Sequence, residues 1–210
     1  IRRKNMDLKL FYTGPMQVNT YLCADEETNK GFIVDPGGPS KPLDNYIKSH
    51  GYDIEYIVLT HGHGDHICGV PYYQKMFGCP IAASSKDNYL FDNADENMSA
   101  AFTGQRIEFT PDVDLKDGDT LKVGNMELKI METPGHSLGG ICILVGNVLF
   151  SGDTLFADSI GRTDFKGGSF TTLKNSVHTK LFVLPDETYV LPGHMGQTTI
   201  GHEKKFNPFL

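Results

Sequence analysis

The sequence has 210 residues, 39% of them hydrophobic and 21% charged, a composition typical of a globular protein with one core or two fused halves. Its formal net charge of −7 argues against a nucleic-acid surface, because phosphate binding requires clustered Lys and Arg. No apolar stretch approaches the roughly 18 residues of a membrane span. The predicted partner is therefore a small-molecule substrate, not nucleic acid or a membrane.

Strand and turn patterns open the chain. Three short apolar runs at 8–12, 19–23 and 31–35 are separated by turn signals and predict an antiparallel meander. A helix is predicted next, with Ser40 as its N-cap, Pro42 in its first turn and an end near Gly51. Residues 56–60 then read as a buried strand.

The rest of the chain alternates in the same way. A helix is predicted over 67–77, a short strand at 81–83, a short helix at 86–91 and a helix over 170–182. Hairpins are predicted around Gly124-Asn125 and Gly146-Asn147, and a last strand at 188–191. Residues 92–111 show weak periodicity and are expected to form a surface segment that shapes the entrance to a site. Two sheets packed back to back with helices outside would bury all of these faces.

The N-terminus and the cysteines bear on domain bounds and on location in the cell. Residues 1–5 precede Met6 and are treated as an N-terminal extension of unknown origin, before a single domain over residues 6–210. The cysteines are far apart and include no Cys-x-x-Cys pair, which favours reduced thiols and a cytoplasmic location. They are Cys23, Cys68, Cys79 and Cys142.

A six-residue stretch from His61 to His66 carries the clearest chemical signal. It places three imidazoles and one carboxylate, those of His61, His63, His66 and Asp65, directly after a buried strand. Imidazole and carboxylate together suit zinc and similar divalent metals. Glycine within the stretch loosens a turn that a rigid strand holds in place.

Three further segments have the same design, in which an apolar strand ends and a ligand-type residue follows beside glycine. These residues are His136, Asp153 and His194. The seven side chains exceed the four or so ligands of one tetrahedral zinc and suit two metals that share a carboxylate. The other histidines, His50, His178 and His202, lack this setting and are interpreted as solvated or capping residues.

His61-x-His63-x-Asp65-His66, together with the three later residues, resembles the motif set of the metallo-β-lactamase fold superfamily, and most closely its short glyoxalase II-like hydrolases. The resemblance implies an α+β fold, a four-layer αββα sandwich of two mixed sheets with helices on the outer faces. It also implies an allocation of ligands. His61, His63 and His136 would hold one metal, Asp65, His66 and His194 the other, and Asp153 would bridge them. Class B β-lactamases are disfavoured, because many carry Cys where this chain has Asp153.

Two departures bear on the substrate. Full-length glyoxalase II continues into a helical domain that helps hold glutathione, whereas 16 residues follow His194 here. Glyoxalase II also has two aromatic residues that contact the tripeptide, and this chain has Gly196 and Asp164 at those positions. A basic residue of the same loop is retained as Arg162. We interpret Arg162 as a substrate-carboxylate anchor. The alternative is a structural ion pair with Asp158 or Asp164.

The predicted activity is hydrolysis of a thioester of hydroxyacylglutathione (S-lactoylglutathione) type by a metal-bridged hydroxide, with Asp65 as both ligand and proton acceptor. Zinc is the default metal, and iron or manganese fits the same nitrogen and oxygen ligands. The alternative is a mononuclear iron oxygenase of persulfide dioxygenase type, which the run from Gly161 to Phe165 also resembles. A metal-dependent phosphodiesterase or nuclease is a third alternative, disfavoured by the acidic charge.

Overall fold

The computed structural model describes residues 5–210. Strands of the N-terminal half are β1 (Met6–Thr13), β2 (Val18–Asp25), β3 (Lys30–Val34), β4 (Asp53–Val58), β5 (Ile81–Ala83) and β6 (Val113–Asp114). Those of the C-terminal half are β7 (Thr120–Val123), β8 (Met126–Glu132), β9 (Ile141–Val145), β10 (Val148–Gly152), β11 (Leu155–Phe156), β12 (Ser159–Ile160), β13 (Tyr189–Pro192) and β14 (Thr198–Thr199). The helices are α1 (Lys41–His50), α2 (Gly64–Ile67), α3 (Val70–Phe77), α4 (Asn88–Phe91), α5 (Ser99–Thr103), α6 (Phe170–Ser176) and α7 (Ile200–Phe206).

Two mixed sheets of six strands each contain most of these strands. The first has the order β1-β2-β3-β4-β5-β6, antiparallel from β1 to β3 and parallel from β3 to β6. The second has the order β14-β13-β10-β9-β8-β7, in which β10 and β13 are parallel and the other pairs antiparallel. The meander and both hairpins predicted from the sequence are confirmed, and β11 with β12 forms a separate small hairpin.

Alternate side chains of each strand point to opposite faces of the sheet and pack in different apolar layers. On β3, Phe32 and Val34 face the second sheet, whereas Ile33 packs under α1 and α3. On the second sheet, Phe150 belongs to the layer between the sheets and Leu149 packs against the segment that follows α6. Three buried clusters therefore separate four layers, helix–sheet–sheet–helix, which confirms the predicted αββα sandwich.

Local signals place the first helix as predicted. Ser40 Oγ accepts a hydrogen bond from Leu43 N–H (3.5 Å), and Gly51 ends α1 in the left-handed conformation at φ 68°. The helix predicted over 67–77 is instead divided into α2 and α3 by Cys68 and Gly69. The helix predicted over 170–182 changes after Ser176 into a π-helical turn, Val177–Leu181.

Residues 92–111 form an anchored loop around a buried asparagine. Asn97 Nδ2 donates to the carbonyl oxygens of Leu90 and Ile107 (2.9 Å each), and its Oδ1 accepts from Ser99 N–H (2.8 Å). The Asn97 carbonyl oxygen also accepts from Gly64 N–H at the start of α2 (2.6 Å). Weak periodicity in the sequence thus reflects a segment that contains only the short helix α5 and is otherwise held by side-chain-to-backbone hydrogen bonds.

The predicted N-terminal extension lies mostly outside the described residues. Asn5, its last residue, accepts a hydrogen bond from Glu26 N–H through its carbonyl oxygen (3.0 Å), and its side chain donates to Glu27 Oε1. All four cysteines are free, and Cys23, Cys79 and Cys142 are buried. Within residues 5–210, no helix is both long enough and apolar enough to cross a bilayer.

Replacing Phe150 by Ala tests the layer between the sheets. The Phe150 ring is 1% exposed and lies 5.9 Å from that of Phe32 and 5.3 Å from that of Tyr21, centroid to centroid. Loss of this ring should lower the free energy of unfolding by about 3–5 kcal/mol in urea titrations with a metal chelator present. The control Val183→Ala removes a side chain that is 71% exposed and should change stability by less than about 0.5 kcal/mol. Equal effects of the two substitutions would contradict this packing.

Candidate metal centre

All seven predicted ligand residues lie at one edge between the two sheets. His61 and His63 occupy the loop after β4, and Asp65 and His66 lie in α2. The other three follow strands of the second sheet: His136 after β8, Asp153 after β10 and His194 after β13. Because β10 and β13 are parallel neighbours, their following loops leave the sheet at the same end.

Three histidines form the first cluster. His136 Nε2 lies 2.8 Å from His63 Nδ1 and 3.2 Å from His61 Nε2. One ring nitrogen of each residue lies within 4.8 Å of those of the other two, and all three residues are buried. Nitrogen atoms this close could serve as the donor set of a tetrahedral or more open metal site.

A second cluster of Asp65, His66 and His194 lies beside the first. Asp65 Oδ2 is 3.1 Å from His194 Nε2 and 3.8 Å from His66 Nε2. Asp153 lies between the clusters, since its Oδ2 is 3.6 Å from His136 Nε2 and 3.8 Å from His194 Nε2. Its carboxylate thus faces both groups.

Asp35, a residue that the sequence analysis did not single out, supports the histidines from behind. Its Oδ2 accepts hydrogen bonds from His66 Nδ1–H (2.9 Å) and Thr60 Oγ1–H (2.5 Å), and its Oδ1 accepts from Thr60 N–H (2.8 Å). Such carboxylate–histidine contacts orient a metal-binding imidazole. The sequence pattern that predicted the ligands also applies to Asp35, because this residue directly follows the buried strand β3.

Hydrogen bonds of the histidines fix which nitrogen atoms carry lone pairs. His136 Nδ1 lies 2.7 Å from the carbonyl oxygen of Arg162, which only accepts, so the hydrogen is on Nδ1. Thr60 Oγ1 gives its hydrogen to Asp35 and therefore accepts from His61 Nδ1–H (3.1 Å). The Nε2 lone pairs of His61 and His136 consequently face one another, which is unfavourable unless a cation lies between them.

Two buried atoms, one in the second cluster and one on Asp153, lack a hydrogen bond. They are His66 Nε2 and Asp153 Oδ1, which lie 3.4 Å apart without hydrogen-bond geometry, and neither makes a hydrogen bond within residues 5–210. A buried polar atom left without a partner costs about 1–3 kcal/mol, and more when it is charged. The donor set and these two atoms therefore fit bound divalent cations.

The electrostatics of the two clusters differ in sign. Burial, reinforced by the neighbouring imidazoles, lowers the pKa of His61 well below its ordinary value and that of His63 to about 3. Burial also opposes a charge on His66, but the carboxylates of Asp153 and Asp65 raise its pKa well above the ordinary value. Burial likewise opposes ionisation of Asp153, yet the facing His66 holds its pKa below its ordinary value. His61 and His63 thus offer neutral nitrogen donors, whereas Asp65 and Asp153 offer negative charge.

A second buried carboxylate, that of Asp87, joins the loop of His61 and His63 to the loop of His136. No pattern in the sequence predicted this role. Asp87 accepts hydrogen bonds from Gly62 N–H (3.0 Å), Ser137 Oγ–H (2.8 Å) and Gly139 N–H (2.5 Å). Gly62 lies between two ligand histidines, and Ser137 follows His136 directly. Asp87 therefore fixes the distance between loops that belong to different sheets.

Close packing explains the glycine before the last ligand. A Cβ atom on Gly193 would lie 2.5 Å from Asp153 Oδ1 and 2.5 Å from His66 Cε1. Any side chain there would push these groups out of place. Glycine directly before His194 is thus a steric requirement of the centre.

A cavity of about 480 Å³ opens onto the centre. We call it the metal-centre cavity. His63, Asp65, His136, Asp153 and His194 line its base. Its walls are mainly apolar and consist of Met16, Met98, Phe102, Phe156, Ile160, Phe165 and Met195. Volume and lining are those of a small-molecule site, a few polar groups within apolar walls.

Arg162 lines the same cavity and is paired with Asp164. Its Nε and Nη2 donate to the two carboxylate oxygens of Asp164 (2.7 Å each), and the guanidinium carbon lies 4.0 Å from the centroid of the Phe165 ring. The ion pair with Asp164 that the sequence left as an alternative is present, whereas Asp158 bonds to His202 Nε2 instead (2.7 Å). Substrate anchoring by Arg162 stays a prediction.

The three remaining histidines, His50, His178 and His202, lie on the surface as the sequence indicated. His202 groups with Asp158 and the buried Glu203. Both Glu203 oxygens already accept hydrogen bonds, Oε1 from Thr198 Oγ1–H (2.5 Å) and Oε2 from Asp158 N–H (3.0 Å). This group therefore joins α7 to the β11–β12 hairpin and is explained by its structural contacts.

Known proteins resemble the chain over nearly its whole length. Residues 13–194 match the sequence profile of the Metallo-beta-lactamase superfamily. Hydroxyacylglutathione hydrolase GloC of Haemophilus influenzae is 36% identical over 209 residues, 98% of this chain and 98% of that protein. The crystal structure of BLEG-1 B3 metallo-beta-lactamase aligns with a TM-score of 0.90 at 36% identity, covering 97% of this chain and 99% of that one. TTHA1623 in a di-iron-bound form aligns with a TM-score of 0.84 at 33% identity, covering 96% and 100%.

The sandwich and its edge cluster of imidazoles and carboxylates define the class of metal-dependent hydrolases. With its matching profile and its relatives, the chain belongs to the metallo-beta-lactamase superfamily. The resemblance stated from the sequence motifs is thereby confirmed.

Changing Asp35 to Asn tests its supporting role. All three groups that face Asp35 are hydrogen-bond donors, so the NH₂ group of Asn would meet a donor and release His66 or Thr60. Metal binding, measured by competition with a chromophoric chelator, should weaken by about 10–100-fold.

Asp158→Asn is the matched control, since it changes an exposed carboxylate that accepts from a histidine outside the ligand set. Its metal affinity should equal that of the unmodified protein. Unchanged affinity in Asp35→Asn would contradict the role given to Asp35.

Proposed function

We propose that the protein hydrolyses thioesters of hydroxyacylglutathione type at a centre of two divalent metal ions. The observation that carries this proposal is the convergence of the seven predicted ligands from four chain segments, with five of the seven side chains at the base of one cavity. The relative from Haemophilus influenzae, whose name is hydroxyacylglutathione hydrolase, supports the substrate class. The free thiols support the predicted cytoplasmic location.

The two clusters support the proposed division of ligands. His61, His63 and His136 would hold one cation, and Asp65, His66 and His194 the other. Asp153 would be shared, because its Oδ2 lies at similar distances from one histidine of each cluster, 3.6 and 3.8 Å. Zinc is our first choice for both positions. The di-iron form of TTHA1623 supports iron as the alternative, and manganese fits the same ligand types.

The proposed roles in this reaction follow from the positions of the side chains around the metal-centre cavity. Divalent cations held by the predicted ligands would supply an acidified water, with its pKa lowered from about 15.7 to about 7, and a Lewis acid for the substrate carbonyl. Asp65 is part-buried at the cavity base and is the proposed acceptor of the water proton. Its Oδ2 is held 3.1 Å from His194 Nε2. The apolar walls limit access of other water molecules. The thiol product has an ordinary pKa of about 8.5, so it leaves without a protonated donor. In this proposal Arg162 receives a substrate carboxylate.

A second candidate function is β-lactam hydrolysis, favoured by the 36% identity to the protein named BLEG-1 B3 metallo-beta-lactamase. A persulfide dioxygenase of mononuclear iron type is less well supported. Such an oxygenase holds one iron with two histidines and one carboxylate, whereas this chain brings two groups of three ligand-type residues together. A phosphodiesterase or nuclease is disfavoured by the net charge of −7.

Asp65→Ala removes a ligand and the proposed proton acceptor together. Hydrolysis of S-lactoylglutathione should fall by at least about 100-fold, and one metal per chain should be lost on dialysis. Activity is followed by thioester absorbance and metal content by elemental analysis. Asp92→Ala, which changes an exposed carboxylate away from the cavity, should leave both unchanged. A fully active Asp65→Ala protein with two metals would contradict the role of Asp65.

Elemental analysis of the purified protein, followed by a substrate screen on the same preparation, distinguishes the candidate functions. We expect two metals per chain and hydrolysis of thioesters in preference to β-lactams, lactones and phosphodiesters. One iron per chain with oxygen consumption on glutathione persulfide would replace the hydrolase proposal by the oxygenase. Faster hydrolysis of β-lactams than of thioesters would favour the second candidate.

A further inference from the structure

The metal-centre cavity has two chemically different walls above its base. The wall from the C-terminal half of the chain carries Ser159 and Arg162, which within residues 5–210 are the polar lining residues outside the base. The wall from the N-terminal half consists of Met16, Met98 and Phe102. We call it the methionine wall. Its side chains contain no hydrogen-bond donor and only the weak thioether acceptors of methionine.

Backbone hydrogen bonds hold the methionine wall in place. Met98 has a φ of 67°, which is uncommon for a residue other than glycine and persists only where the surroundings impose it. Its carbonyl oxygen accepts from the N–H groups of Ala101 and Phe102 (3.1 Å each) at the start of α5. Met98 and Phe102 are four residues apart and therefore share one side of this turn, and both side chains line the cavity. The anchored loop thus presents these two side chains in a fixed arrangement.

The polar wall is where the thiol half of a thioester fits. Arg162 is the residue to which a substrate carboxylate is assigned above, and glutathione carries its carboxylates on the thiol side of the reacting carbonyl. The Phe165 ring beneath Arg162 lies 5.1 Å from the ring of His63, centroid to centroid, so this wall begins directly at the base. The acyl group leaves the carbonyl in a different direction from the sulfur. It therefore lies against the methionine wall.

The methionine wall favours an apolar acyl group. A hydroxyl group placed against it finds no side-chain hydrogen-bond partner, which is unfavourable once water is displaced. Apolar carbon is favoured there, in proportion to the area that it removes from water. Met16 is 50% exposed and thus open to a ligand, and flexible methionine side chains adapt to apolar groups of different shapes. The cavity of about 480 Å³ has room for an acyl group larger than lactoyl.

We propose that the methionine wall binds the acyl half of the thioester, and that the protein hydrolyses thioesters of apolar acyl groups larger than lactoyl in addition to the hydroxyacyl class. This inference rests on the thioester hydrolysis proposed above. The oxygen of water bonds to the acyl carbon, and the carbon–sulfur bond breaks with its electron pair on sulfur. The two hydrogens of the water end on the carboxylic acid and the thiol. Met98 and Phe102 set the acyl specificity.

Glutathione thioesters that differ only in the acyl group test the methionine wall. The acyl groups are acetyl, hexanoyl, lactoyl and isobutyryl, the last of which replaces the hydroxyl of lactoyl by methyl. Each kcat/KM is divided by the rate constant for hydrolysis of the same thioester by hydroxide, which corrects for intrinsic reactivity. We expect the corrected value for hexanoyl to exceed that for acetyl at least about tenfold, and the value for isobutyryl to exceed that for lactoyl.

Met98→Asn changes the wall and keeps its backbone conformation, since Asn adopts positive φ more readily than most residues. The corrected preference for hexanoyl over acetyl should fall at least about fivefold, while the value for acetyl changes less than about twofold. Calorimetry with ketone analogues, in which a methylene separates the sulfur from the carbonyl, should show the same selective loss without turnover.

Two further variants complete this test. Met76→Asn makes the same substitution at a methionine of α3 that is 44% exposed and does not line the cavity, and it should leave the preference unchanged. Phe102→Ala shortens the other side chain of this turn and should reproduce the selective loss if Met98→Asn fails to fold. Metal content and circular dichroism are measured for every variant.

The acyl series separates the possible failures. If hexanoyl is not preferred over acetyl, or isobutyryl is not preferred over lactoyl, the inference about the methionine wall is wrong and the thioesterase proposal stands. The same holds if Met98→Asn and Phe102→Ala slow all thioesters equally or none. If the unmodified protein hydrolyses no thioester, both are wrong.

Discussion

Seven buried or part-buried side chains, the predicted metal ligands, at the edge between two sheets are the constraint on which the rest of this structure depends. The Nε2 lone pairs of His61 and His136 face each other at 3.2 Å, and the buried Asp153 Oδ1 lacks a hydrogen bond. Removing such groups from water without a partner is unfavourable. Cations at this edge relieve both problems, and the folded chain is organised to keep the groups together.

The scaffold meets this constraint with a second set of buried carboxylates. Asp35 holds His66 and Thr60, while Asp87 holds the loops of Gly62 and Ser137. Both accept several hydrogen bonds within low-dielectric surroundings, where such bonds are strong. Asp87 is the more telling case, because it joins a loop of the first sheet to a loop of the second and thus fixes the separation of the two halves of the centre.

Around the centre, the chain places apolar walls and few charges. The cavity rim includes Met16, Met98 and Met195, whose flexible side chains adapt to different ligand shapes. Arg162, a cavity cation, is already neutralised by Asp164 and stacked on Phe165. The anchored loop at Asn97 connects this wall to α2 through Gly64, so the cavity wall and the predicted ligands of α2 share one support.

The sequence by itself determined the candidate ligand set, the strand-end design and the layer architecture. These features depend on local patterns, namely alternating apolar residues, capping residues such as Ser40 and glycine beside a predicted ligand. Only the tertiary structure showed the contacts of Asp35 and Asp87 and the division of the helix after His66. Each of these depends on contacts between residues far apart in the chain, and one sequence carries no periodic signal for such contacts. The residue types of the site were therefore predictable from the sequence, whereas their arrangement in space was decided by tertiary packing.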